Sequence, residues 1–461
     1  MKARNLMIAL TAAILTACGG AQQQKDLNPV LTVEGGQIQG VLTDSTQVMV
    51  YKGIPYAAPP VGNLRWKKPQ SVVPWQGVKV MDTFSAASVQ AAHNAGEFYT
   101  EEFYFGGDPE FSEDCLYLNV WAPAGTLGDT NAKLPVAMWV HGGAYSAGWG
   151  HEITMDGDAW AQRGVILVTI NYRLGMLGFL SHPLLSADED GTSGNYGLYD
   201  QIAALKWVRN NIAQFGGDPQ NITIFGQSAG ASSIRNLCAS PLSKGLISKA
   251  IIQSIGGLGE LIPPMPAENV EATGKAMMDA GGLTTLEQMR AATPLELDAA
   301  QRAYMAQNRG GGFLMMTPHV DSKVLPKTFT DAAMDGEIAD VPYMLGSTLN
   351  DMMSTMGEGI QSLAELRESQ GNPHPVYAYR FDRRLPGEPN TAYHSSELWF
   401  VFKTLKNSRR PFTPADYALS DEIVDFWTNF AKYGNPNGAK GNEPWHPATK
   451  ADPFVMHLDV K

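Results

Sequence analysis

The stretch from Asn221 to Asn236, NITIFGQSAGASSIRN, restricts this chain more than any other. Ile222, Thr223, Ile224 and Phe225 are β-branched or aromatic, the composition of a buried strand. Gly226-Gln227-Ser228-Ala229-Gly230 follows, and the residues after it can continue as a helix. This is G-x-S-x-G in a strand–turn–helix setting. So sharp a turn holds its central residue in strained backbone geometry. Side chains at 226 and 230 would collide with the neighbouring strand or helix, hence the two glycines. The Ser228 hydroxyl is then expected clear of the sheet edge, at a helix N-terminus whose dipole favours developing negative charge.

Around this stretch, strand and helix patterns alternate. Pro135 to Val140 reads as a strand entering His141-Gly142-Gly143-Ala144-Tyr145, and Gly164 to Ile170 as another. Leu246 to Ser254 contains a third; Val341 to Gly346 and Pro375 to Phe381 follow. Asp200 to Phe215 is predicted helical, with Ile202, Leu205, Val208 and Ile212 on one face and Gly216-Gly217 as its stop. Ser420 to Tyr433 is predicted as an amphipathic helix capped by Ser420, with Ile423, Phe426, Trp427 and Phe430 as its buried stripe and Gly434 ending it. Ala267 to Ala303 carries further helical stretches, and Met315-Met316 suits a pocket wall or core filler. Leu31 to Tyr51 reads as short hairpin strands turning at Gly35-Gly36 and Asp44-Ser45. The alternation implies an α/β fold with a mostly parallel sheet covered on both faces. No repeat or internal boundary interrupts residues 31–461, which read as one catalytic-sized domain. A net charge of −12 without any basic run argues against nucleic acid and mildly disfavours anionic substrates.

The first 30 residues differ in kind. Lys2 and Arg4 precede the apolar Leu6 to Leu15, too short to span a bilayer. Leu15-Thr16-Ala17-Cys18 resembles the lipobox of bacterial lipoproteins. That resemblance implies removal of residues 1–17 as a signal peptide, acylation of Cys18, and a membrane anchor; the alternative is an ordinary cleaved signal peptide with an incidental cysteine. Gly19 to Val30 is polar and aromatic-free, suited to a flexible tether. In Gram-negative lipoproteins a residue other than Asp after the cysteine directs the protein to the outer membrane, and Gly19 fits. Cys115 and Cys238 remain, either as a disulfide of an exported protein or as two buried thiols.

A serine hydroxyl needs a neighbouring base to act as nucleophile, and the base is usually a histidine oriented by a carboxylate. Where G-x-S-x-G sits on a strand–turn–helix, the chain order is serine, acid, histidine. His319, His374, His394, His446 and His457 all lie late enough; spacing does not choose among them.

A set of ordered blocks does. YKGIPYAAPPVGNLRW (51–66), SEDCLYLNVWAP (112–123), WVHGGAYSAG (139–148), TINYRLGMLGFLS (169–181), GNYGLYDQIAALKWVRNNIAQFGGDPQNITIFGQSAGA (194–231), TPHVDSKVLP (317–326), VPYMLGSTLND (341–351) and HSSELWFVF (394–402) resemble the type B carboxylesterases, the family that includes the cholinesterases. The resemblance implies an α/β-hydrolase fold and a serine esterase acting through an acyl-enzyme on small to medium, partly apolar esters. It places the nucleophile at Ser228, the base at His394 (three residues before Glu397) and the acid at Asp351, where most members have glutamate. Aspartate is one methylene shorter, so its loop must come closer to His394. The competing reading makes Asp351 a cap and gives the acid's role to Glu358 or Glu365. The oxyanion donors fall at Gly143, Ala144 and Ala229; Ala144 replaces a glycine, and His141 is assigned to packing. No metal or organic cofactor is implied. The usual disulfide partner of Cys115 falls near Ser88, so both cysteines are expected as free thiols. The 43 residues between Asp351 and His394 are roughly half what many relatives carry, implying a shortened helical insertion and a more open pocket. Two rivals stand: a hydrolase of plant-derived or sugar esters, amides or thioesters on the same fold, and a catalytically silent surface-binding protein.

Overall fold

The strand Gly217–Gln227 occupies the middle of a 10-stranded sheet in this computed structural model, which describes residues 28–260, 265–308, 316–352, 354–439 and 444–461. On one side it pairs in parallel with Lys249–Gln253, then Tyr343–Thr348, Val376–Phe381 and Met456–Leu458. On the other it pairs in parallel with Leu134–Val140 and then Ile166–Ile170. Beyond these the sheet turns antiparallel through Tyr117–Pro123, Val48–Pro55 and Val41–Leu42. The expected signal peptide, the expected acylation site Cys18 and most of the expected tether lie outside the described residues.

The central strands read as unbroken apolar runs because both sheet faces are covered. Every residue of Ile166–Ile170 and of Lys249–Gln253 is buried. Period-two alternation divides them between two cores: Val136, Met138 and Val140 join one, while Ala137 and Trp139 join the other. In the second core Trp160 stacks on Phe225 at 4.9 Å, and Trp139 meets Phe402 edge-on at 5.0 Å.

Near the N-terminus Leu31–Val33 and Gly36–Gln39 form the expected hairpin about Gly35, whose φ of 95° suits glycine. Two helices differ from expectation. The helix expected at Asp200 spans Tyr196–Asn211, followed by a 3-10 turn Ile212–Phe215. Asp200 is therefore interior, where it is fully buried and receives Arg173 Nε at 2.8 Å and Nη2 at 2.7 Å. Ser420 is not a cap: the helix spans Pro414–Tyr433, and Thr413 and Asp416 form its capping box. Ser420 sits buried inside that helix and donates to the Phe400 carbonyl at 2.9 Å. The stripe Ile423, Phe426, Trp427 and Phe430 is buried, and Gly434 closes the helix at φ 68°.

Candidate active site

At the C-terminal end of the central strand the chain reverses through Ser228, with φ 57° and ψ −125°, straight into the helix Ala229–Ala239. Such geometry costs a non-glycine residue about 1–3 kcal/mol and persists only when its surroundings enforce it. Here they do. The Ser228 N–H donates to Gln253 O at 2.9 Å, tying the turn to the adjacent strand. A methyl on Gly230 would sit 2.1 Å from Val140 O, and one on Gly226 would sit 2.6 Å from the Gly230 carbonyl carbon. Both glycines are therefore required by contact.

Asp351 lies just past the strand Tyr343–Thr348, and its Oδ1 is 2.6 Å from His394 Nδ1. The shorter acid is accommodated by its backbone: Asn350 pairs with Tyr393 in a parallel bridge, and the Asn350 N–H donates to Ala392 O at 2.8 Å. The two loops are thus stitched together beside the pair. Asp351 also accepts the Thr348 N–H at 2.9 Å and the Met352 N–H at 2.8 Å. Burial alone would raise its pKa, but the hydrogen bond and charge of His394, with the Thr348 N–H, hold it below the usual carboxylate range. The structure sets aside the alternative acids. Glu358 is exposed, and Glu365 accepts from Gln361 on the helix Met356–Ser369 that carries all three. The other late histidines are spent elsewhere: His457 on Asp382 at 2.7 Å, His446 facing Asp452 at 3.3 Å, His374 facing Asp340 at 3.9 Å. His319 is buried beside Asn195, and burial lowers its pKa.

His394 Nε2 meets the side-chain amide of Gln227 at 3.2 Å. Among the described residues no hydrogen bond joins Ser228 Oγ to His394. No sequence signal points to Gln227, since it occupies the unspecified position of G-x-S-x-G.

The glycine turn lies against Ser228: a methyl on Gly142 would sit 3.2 Å from Ser228 Cβ. Gly143 and Ala144 follow, both at positive φ, 98° and 54°. The N–H groups of Gly143, Ala144 and Ala229 have no acceptor among the described residues, as anion donors require. His141 packs as expected, buried and stacked on Tyr172 at 4.5 Å, with burial pushing its pKa down to about 4. Glu152 braces the far end of the turn, accepting the Trp149 N–H at 3.1 Å. Among the described residues no cluster of three or more His, Cys, Asp or Glu could hold a metal.

Cys115 and Cys238 are free and buried, and burial pushes both thiols up to about 12. Ser88, where the resemblance put the usual disulfide partner, has its hydroxyl against the Cys115 thiol and accepts the Leu174 N–H at 3.1 Å. The loop between them is held by a different device. Glu102, 8% exposed, accepts from Trp399 Nε1 at 3.0 Å and Arg410 Nε at 2.9 Å. This fixes the short helix Phe98–Phe103 beside the histidine, with Tyr99 OH 3.4 Å from His394 O.

The carboxylesterase family model matches residues 27–370 and 349–461. This chain belongs to the carboxylesterase family. Its relatives include the para-nitrobenzyl esterase of Bacillus subtilis (strain 168), 35% identical over 94% of this chain and 95% of that protein. Fumonisin B1 esterase of Sphingopyxis macrogoltabida is 38% identical over 93% and 86%. A solved thermophilic PNB esterase superposes with a TM-score of 0.79 at 31% identity, covering 93% of this carboxylesterase and 96% of that chain. The α/β-hydrolase fold and ester-hydrolase class expected from the sequence are those of this family.

Proposed function

We propose that this carboxylesterase hydrolyses small to medium, partly apolar esters through Ser228, His394 and Asp351. The observation that carries the reading is the 2.6 Å Asp351–His394 contact set beside the strained turn that presents Ser228. An ionised carboxylate only accepts, so Nδ1 carries the imidazole proton and Nε2 presents a lone pair. His394 takes the Ser228 proton as Oγ bonds the ester carbonyl carbon; the N–H groups of Gly143, Ala144 and Ala229 hold the oxyanion. His394 then returns the proton to the departing alcohol, and water releases the acyl group by the same steps. Apolar side chains exposed beside the pair (Phe98, Tyr99, Leu349 and Met352) support an apolar portion in the substrate. The names of the para-nitrobenzyl and fumonisin B1 esterases are in keeping with that range.

Fluorophosphonate labelling and nitrophenyl-ester assays of residues 19–461 test this, with Ser228→Ala, Asp351→Ala and His394→Ala alongside. Loss of labelling by Ser228→Ala and His394→Ala, and of turnover by all three, is expected with the fold retained. An unlabelled, inactive, folded wild type would support the silent binding protein instead. We further propose acylation of Cys18 and outer-membrane anchoring; full-length protein should incorporate radiolabelled palmitate, and Cys18→Ala should not.

A further inference from the structure

The nitrogen that a base must present to Ser228 is already occupied. Nδ1 donates to Asp351, so Nε2 is an acceptor, and at 3.2 Å the Gln227 amide must be its donor. Gln227 is 3% exposed, and its Oε1 would lie 3.2 Å from a methyl on Gly142, which puts its amide against the glycine turn. The neutral imidazole thus has both nitrogens satisfied before any ester arrives, while Ser228 Oγ is not bonded to it. The ionisable groups around the ring are Asp351, the buried Glu397 and Tyr99, from three segments. Gln227 adds a partner without adding charge.

We propose that Gln227 is a positioning residue that parks His394 away from Ser228 in the free enzyme, and that an ester entering the glycine turn releases it. The proposal rests on Ser228 and His394 acting as nucleophile and base. The exchange balances. As the Oγ–H bond breaks and the Oγ–carbon bond forms, Nε2 gains the proton and becomes a donor. With Gln227 displaced, that N–H donates to the departing alcohol, and the amide returns to Nε2 once the product has left.

The test compares wild type, Gln227→Glu, Gln227→Leu and His394→Ala through pH profiles of kcat/KM, which report the free enzyme, and of kcat, which report the complex. A carboxylate beside Nε2 stabilises the imidazolium, so in Gln227→Glu the acidic limb of kcat/KM should rise by about one pH unit or more. The kcat limb should move less than half as far, because substrate has displaced the side chain. No shift, or equal shifts in both limbs, overturns the proposal. Gln227→Leu, which keeps the volume without the donor, should react severalfold faster with a small fluorophosphonate; an unchanged or slower reaction also overturns it. His394→Ala should lose labelling. Wild-type labelling of that variant would remove the serine–histidine reading itself, and the parking proposal with it.

Discussion

Replacing Glu102 by alanine tests what holds the loop over the site together. Its carboxylate takes the Trp399 Nε1–H at 3.0 Å and Arg410 through both Nε at 2.9 Å and Nη2 at 2.8 Å. Trp399 is fully buried, so its N–H would lose its partner outright, at about 1–3 kcal/mol. Removing one member of a buried ion pair costs about 3–5 kcal/mol. Arg410 keeps Pro386 O at 3.0 Å and Glu388 at 3.2 Å, which places its share below that range. A total near 3–4 kcal/mol follows, read from urea unfolding midpoints at constant m-value. Glu102→Gln retains a neutral acceptor for Trp399 and should cost about half as much. Because the helix carrying Tyr99 is the part released, turnover should fall at urea concentrations where the core is still folded. A loss below about 1 kcal/mol, or equal losses for alanine and glutamine, would refute the argument that this carboxylate anchors the loop.

Three other outcomes are expected. Asp351→Asn keeps the shape of the Asp351–His394 pair but stabilises the wrong tautomer, so kcat should fall by about 10³–10⁴; steady-state kinetics showing less than a tenfold loss would count against the triad. Ala144→Gly removes a methyl from a residue at φ 54° without removing its N–H, so the kcat/KM ratio of branched to straight acyl esters should rise while stability shifts by less than about 1 kcal/mol. Burial raises the Glu152 carboxyl from 4.5 to about 7, with the Trp149 N–H and Tyr104 acting against it. A raised pKa contributes stability below the unfolded value that is lost as pH climbs through the folded one. Glu152→Gln should therefore gain on wild type between about pH 5 and pH 8, on the order of 3 kcal/mol, in chemical denaturation series across that range.

What was legible in the sequence was local or repeated. The turn at Ser228 was readable because its glycines, strand and helix are adjacent in the chain. The sheet was readable because two covered faces leave long apolar runs. Ser420 misled because a serine before Asp421 and Glu422 imitates a cap, although Thr413, Pro414 and Asp416 already supplied the true one. Asp351 and His394 could be paired only by family resemblance, since nothing local joins residues 43 apart. Gln227 carries no signal in a motif that leaves its position open. Glu102 and Arg410, 308 residues apart, meet only through the fold.

The Ser88–Cys115 contact has a practical side. Elsewhere a covalent cross-link at such a position would make assembly of the loop wait on an oxidant. Here the two side chains meet without a bond, and neither buried thiol ionises at neutral pH. Holding the chain at Ser88 and Cys115 therefore requires no oxidant. Dithiothreitol finds no link between Cys115 and Cys238 to cut, so the loop that Glu102 anchors beside His394 should keep its place in the reductant.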